Sequence, residues 1–226
     1  MHAHHSKPYS LTKTLAPAIC CGFIAFTAIV QSGCLGLASN LMHAMGADMI
    51  PAEYEGLEEQ TVAVVTLSDG SQYSNDSANK DLGRRVSAIL TKEVDEIRLV
   101  REDKIDRYRD VNGWDSVDFA EIGMAVGADK VVGIELDNLR LRDGATLYRG
   151  RADVTVHVVD VASGTVEYTR NLDDFTYPTV AGQYTSETTE AKFRKLYFSM
   201  LSEEIGRTFH AYDFTDRLAL DSAIAR

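Results

Sequence analysis

KVVGIELDNLRLRDGATLYRGRADVTVHVVDVASGTVEYTRNL, residues 130–172, decides the fold of this chain. Its opening is strand-like, but the alternation slips. Val132, Ile134 and Leu136 share one face, whereas Leu139 and Leu141 fall in the other phase. A β-bulge near Asp137 and Asn138 reconciles the two, because one inserted residue moves every later side chain to the opposite face. Asp143-Gly144 is a strong hairpin signal. Beyond it Ala152, Val154, Val156 and Val158 alternate with Asp153, Thr155 and His157, the period of a strand buried on one face. Ala162-Ser163-Gly164 turns the chain again, and Val166, Tyr168 and Leu172 carry a third strand. Three consecutive strands joined by short turns make an antiparallel meander.

Working outward, Gly127 suits the left-handed stop of a helix ending near Val126, with Ser116 as its cap and Asp118 near its positive end. Residues 101–109 mix charges as a helix with a solvated outer face does, and residues 97–100 form a short strand. Leu82, Val86, Ile89, Leu90 and Val94 fall on one helical face, with Asn79 as cap. Residues 68–79 are a polar loop by composition. TVAVVTL, residues 61–67, is a short valine-rich run and reads as a buried strand. Downstream, Phe193, Leu196, Tyr197, Met200, Leu201, Ile205 and Phe209 line one face of a long C-terminal helix. The predicted order is β-α-β-α-α-β-β-β-α. Helices segregated from a meander predict an α+β fold, a mixed β-sheet with helices packed on it. The first two strands are expected to pair in parallel through their helix.

The start of the chain is of another kind. Lys7 and Lys13 precede an uncharged apolar run, residues 15–30, which Gln31-Ser32-Gly33-Cys34 closes. A basic start, an apolar run and a small-residue exit describe a secretory signal. Small residues ahead of a cysteine make it resemble a bacterial lipoprotein signal, which implies that Cys34 is lipidated and becomes the mature N-terminus. Gln31 stands where such signals usually carry an aliphatic residue. Stable anchoring takes at least two acyl chains, and a lipoprotein cysteine carries several. The alternatives are an ordinary secreted protein or an uncleaved single-pass inner-membrane anchor, for which the run falls short of the ~20 apolar residues a span requires. Leu35 in place of an aspartate favours the outer membrane. Residues 1–33 are then the signal peptide and residues 34–57 a membrane-proximal tether. Residues 58–212 are the domain and residues 213–226 a tail.

Without the leader one cysteine of three remains, so an exported domain folds on its core alone, with no disulfide. The chain of 226 residues carries a formal charge of −11, and the leader takes two lysines with it. That argues against nucleic acid as a partner and against polybasic attachment to anionic lipid.

No catalytic, cofactor or metal site is expected. His2, His4 and His5 precede the apolar run, while His43, His157 and His210 are isolated and lack ligand spacing. His157 falls on the polar face of its strand. Ser163-Gly164 belongs to a turn, and no G-x-S-x-G elbow is present. Asp173 and Asp174 are strand neighbours and point to opposite faces. Glu203 and Glu204 are placed on the solvated side of the last helix. Four aromatic residues are candidates for partner contact: Trp114 at a glycine-rich break, and Phe175, Tyr177 and Tyr184 in a loop around Pro178. Exposed aromatics anchor partners; packing over the core edge is the alternative.

The strand at 61–67, the helix DLGRRVSAILTKEV at 81–94 and the segment IGMAVGADKVVGIELDNL at 122–139 together resemble the small α/β domain shared by the TolB N-terminal domain, CsgG-type curli secretion lipoproteins and LpoB-type activators of peptidoglycan synthases. In that family a helix ending in Gly-Ala-Asp leads directly into a strand, as Gly127-Ala128-Asp129 does here. The resemblance covers roughly residues 58–212. It implies a non-catalytic binding or scaffold lipoprotein of the cell envelope, acting in assembly or secretion and meeting a membrane and an envelope protein partner. A subunit of an oligomeric secretion pore and a hydrolase whose site forms only in three dimensions are the alternatives. The leader makes a direct prediction: Cys34→Ala abolishes fatty-acid incorporation and releases the chain from the membrane fraction. Labelling with a radioactive fatty acid and fractionation check it; unchanged labelling in the variant overturns the lipoprotein reading.

Overall fold

In the computed structural model, which describes residues 49–68, 73–113 and 118–213, strand β1 (Thr61–Ser68) is hydrogen-bonded to a neighbour on each edge. Residues 50–213 belong to one compact unit. After β1 come helix α1 (Tyr73–Glu93), the two-residue strand β2 (Arg98–Leu99), and helices α2 (Glu102–Asn112) and α3 (Phe119–Val126). Three long strands follow, β3 (Lys130–Asp143), β4 (Leu147–Asp160) and β5 (Thr165–Tyr177). A short strand, β6 (Gln183–Tyr184), precedes the C-terminal helix α4 (Glu190–Gly206). The fold is α+β in the expected order, with β6 added within the segment read as an aromatic loop.

The sheet runs β2-β1-β3-β4-β5, with β6 paired to β4. β1 is parallel to both β2 and β3, and the meander β3-β4-β5 is antiparallel. The Gly-Ala-Asp junction sets the parallel register. Gly127 terminates α3 at φ 75°, and Asp129 then donates its backbone N–H to Thr61 O at 2.7 Å and accepts from Thr61 N at 2.8 Å. That backbone bond holds the Asp129 carboxyl below its ordinary range.

Side chains alternate along β1, so the strand feeds two cores. Val62 packs with α1, α4 and the inner face of the meander; Ala63 and Val65 pack with α3 and Val131 on the other side. In β4, Val154, Val156 and Val158 are buried against α1 and α4, as their period requires. The opposite face of the meander buries Val131 and Val159 near one end and carries polar groups along its middle: His157 Nδ1 lies 3.1 Å from Thr169 Oγ1, and Nε2 lies 3.9 Å from Glu135.

The expected bulge is present. Register shifts between Asp137 and Arg140, and Asn138 takes φ 52°. A second irregularity faces it across β4, where Asp174 takes φ 48°. Asp153 holds both, accepting from Asn138 Nδ2 at 2.7 Å and from Asp174 N at 2.8 Å. One carboxylate thus satisfies the groups that two breaks in the ladder leave free, and those bonds keep it ionised below the usual range.

Several expectations need correction. Asn79 caps nothing: α1 begins at Tyr73, and Asn79 lies within it, buried, donating Nδ2 to Ser68 Oγ at 2.9 Å. Tertiary burial of Ala78 and Asn79 carries the helix back through a run whose composition favours a loop. The cap of α3 is Asp118, which accepts from Ala120 N and Glu121 N; Ser116 lies outside the described residues. Val166 is exposed: the register shift between Val158 and Val159 separates it from the phase of Tyr168, which pairs with Val158. Glu204 is not solvated. Its side chain is 14 % exposed and bonds Arg170 Nη2 at 2.7 Å and Arg207 Nη1 at 3.1 Å. Arg170 also donates to Glu204 O and Thr208 Oγ1, so it pins the end of α4 to β5.

Phe193, Tyr197, Leu201 and Ile205 are buried as the helical period predicts, joined by Phe198. The Tyr197 ring lies against bare backbone: a Cβ on Gly150 would sit 2.0 Å from it. Its hydroxyl donates to Phe175 O at 3.0 Å, and burial drives the phenol pKa up. Gly150→Val therefore forces the ring out of its seat and is expected to lower the unfolding free energy by about 3 kcal/mol. Urea denaturation followed by circular dichroism checks it.

Candidate functional site

Strand β2 is two residues long, while β1 is eight. The ladder between them closes with Val100 N–H donating to Val62 O at 2.8 Å. Past that bond β1 runs on through Val64 and Thr66 with no strand beside it on this edge among the described residues. Helix α1 lies over the edge and α2 continues from β2, leaving a cleft of about 200 Å³ between them.

The floor of the cleft is apolar, from Val64, Leu99 and Ile105. Above it α1 presents Gly83, whose missing side chain makes the space: a Cβ there would stand 2.9 Å from Thr66 Oγ1. Two residues of the lining, Thr66 and Asn79, each carry a buried polar atom, Oγ1 and Oδ1, that has no hydrogen-bond partner among the described residues. Asn79 is 8 % exposed, so its carbonyl is shielded from water on most sides. Orphaned buried polar atoms are rare in native structures, since each costs about 1–3 kcal/mol.

The rim is charged but internally neutralised. Asp106 receives Lys80 Nζ at 3.1 Å and Arg109 Nη2 at 3.0 Å, and Glu102 receives Arg84 Nε at 2.8 Å. The hydrogen bond to Glu102, with its charge, pushes the Arg84 guanidinium higher still. Each rim carboxylate is thus engaged by a cation of the same cleft.

The other candidate positions scatter. Cys34, Trp114 and His43 lie outside the described residues. Tyr177 is buried at 4 % exposure within the core and Phe175 is half-buried against Tyr197, 5.9 Å between ring centroids, so both follow the core-edge alternative. Tyr184 stays 57 % exposed on β6, near the 86 % exposed Val180. His157 sits on the polar sheet face, and His210 Nδ1 bonds Ala211 O at 2.9 Å. Among the described residues, no three His, Cys, Asp or Glu side chains are grouped to hold a metal ion, and no helix is long and apolar enough to cross a membrane. Sequence reading passed over the cleft because its polar members are ordinary helix and strand residues. Gly83 inside an otherwise regular helical pattern was the one signal for a close approach.

No protein-family model matches this chain, and no curated protein matches it. Solved structures are similar in outline. Lipoprotein GNA1162 from Neisseria meningitidis aligns at 10 % identity over 64 % of this chain and 97 % of that one, with a TM-score of 0.43. A PelC dodecamer from Paraburkholderia phytofirmans aligns at 11 % identity over 67 % of this chain and 91 % of that one, at 0.39. The LpoB C-terminal domain from Escherichia coli aligns at 14 % identity over 57 % and 92 %, at 0.34. At these identities and scores the likeness is loose and carries nothing about activity or partners.

The orphaned hydroxyl makes a thermodynamic prediction. Thr66→Val replaces a buried group that has no partner by a methyl of similar shape, and is expected to raise the unfolding free energy by about 1 kcal/mol. Chemical denaturation of the two proteins side by side checks it; a loss of stability shows that the hydroxyl is satisfied in solution.

Proposed function

We propose that this chain is a non-catalytic lipoprotein of the cell envelope, held at the outer membrane through acyl chains on Cys34, whose α+β domain binds an envelope protein in assembly or secretion. The observation that carries the reading is the leader. A basic start, sixteen uncharged residues at 15–30 and Ser32-Gly33 stand directly ahead of Cys34, the one cysteine beyond them. Such a cysteine would be a reactive liability in an exported protein, and lipidation consumes it.

Two features of the domain support a binding role. The ionisable groups around the cleft neutralise one another, whereas a general acid or base needs a side chain poised near its working pH and directed at a substrate. The long strands β3, β4 and β5 each contribute side chains to the domain core, among them Ile134, Val156 and Leu172, which counts against committing them to a membrane pore.

Chemical cross-linking of intact cells, followed by purification of the tagged chain in mild detergent, tests the reading. One envelope protein is expected to be recovered in near-stoichiometric amount, and its recovery is expected to fall with Cys34→Ala, which removes the chain from the membrane. Absence of any envelope partner, together with hydrolytic turnover by the purified chain, overturns it.

A further inference from the structure

We infer that the cleft between α1, α2 and the open edge of β1 is the peptide-binding site of this protein, taking an extended segment of its partner with an apolar side chain. The inference rests on the binding role proposed above and assigns it a place and a chemistry.

Three observations converge on an amide ligand. First, Asn79 lines the cleft and is 8 % exposed, and its Oδ1 is an acceptor without a donor among the described residues. A peptide N–H supplies the missing donor. The assignment does not depend on which way the Asn79 amide is turned, because a peptide unit offers both an N–H and a carbonyl. Second, Thr66 Oγ1 lines the same cleft without a partner, and a hydroxyl can donate to a peptide carbonyl. Third, the sheet itself is unfinished here. Alternate residues of a strand address one edge, so Val64 and Thr66 continue the edge at which Val62 O receives Val100 N–H. An extended segment laid along that edge lengthens the ladder where β2 stops, the mode by which peptides add to open sheets.

The remaining walls fit such a segment. Val64, Leu99 and Ile105 make an apolar floor for a branched side chain. The volume, about 200 Å³, leaves room for one peptide unit and its side chain rather than a folded surface. The charged rim selects against a free anion. Lys80 and Arg109 already face Asp106, and Arg84 faces Glu102, so a phosphate would compete with carboxylates fixed beside each cation.

The test uses the full-length ¹⁵N-labelled chain in mild detergent, titrated with N-acetyl-isoleucine N-methylamide and, separately, with inorganic phosphate. The amide is expected to produce saturable shifts at Thr66, Gly83 and Leu99, and phosphate none. Thr66→Val removes the hydroxyl. Gly83→Ala fills the cleft with a Cβ 2.9 Å from Thr66 Oγ1 while improving the helix. Each variant is expected to weaken the amide by about fivefold or more, with its remaining spectrum unchanged. No saturable shift at the cleft, shifts that survive in both variants, or phosphate acting where the amide does not each overturn the inference. Failure of this titration with the envelope partner still recovered by cross-linking removes the site and leaves the binding role standing. Loss of the partner as well removes the role itself.

Discussion

The domain is organised around one constraint: β1 has a parallel neighbour on both edges. Parallel strands cannot be joined by a tight turn, so each connection from β1 outward must cross the sheet. The first crossing is α1, whose Leu82, Val86 and Leu90 join the core that α4 closes. The second passes through α2 and α3, whose Ile105, Tyr108 and Ile122 build the smaller core on the other face. β1 is therefore covered on both sides, which is why the run from Val62 to Val65 is apolar without alternation, with Val62 and Ala63 fully buried. The meander has no such obligation. Its strands bury mainly one face, with only Val131 and Val159 reaching the smaller core on the other, and keep the alternating pattern that made them legible.

Polar side chains carry the joints of this architecture. Asp129 couples the entry of β3 to that of β1, Asp153 bridges the irregularities of two strands, and Arg170 ties β5 to the last turn of α4. Lys130 is clasped by Glu167 at 2.7 Å and Asp160 at 3.5 Å, and Tyr54 donates to the same Glu167. Burial, with that bond to Glu167, pushes the Tyr54 phenol up to about 12. In an acidic chain these few partly buried cations are each held by carboxylates, as burial of charge demands. The cleft is one place where polar satisfaction is incomplete. Thr66 and Asn79 present polar atoms inward without partners, and a local departure from polar satisfaction is a common mark of a binding surface.

Much of the fold could be read in advance because local rules suffice for it. Gly144 after Asp143, Gly127 at the end of α3 and Gly164 in the second turn all occupy the left-handed region their turn chemistry predicts. The slip from Leu136 to Leu139 located the bulge at Asn138 before any coordinate did. Errors arose where burial overrode composition. Asn79 looked like a cap and is a buried helix residue. Glu204 looked solvated and pairs with Arg170, 34 positions away in sequence. Tyr177 was open between an exposed anchor and packing at the core edge, and it is buried. A polar or aromatic residue can serve either environment, and only its distant neighbours decide which.

Sequence by itself determined the α+β order, the meander, the two-sided burial of β1 and the expectation of an anchored leader ending at Cys34. Each follows from hydrophobic period, turn residues or residue type at short range. Tertiary structure alone decided that β3 lies parallel against β1 and that β2 stops after two residues. It also decided that Gly83 brings α1 down beside Thr66 to leave a cleft holding two orphaned polar atoms. Those facts depend on which segments meet across the sheet, and no pattern within a single segment encodes its partner's register or length.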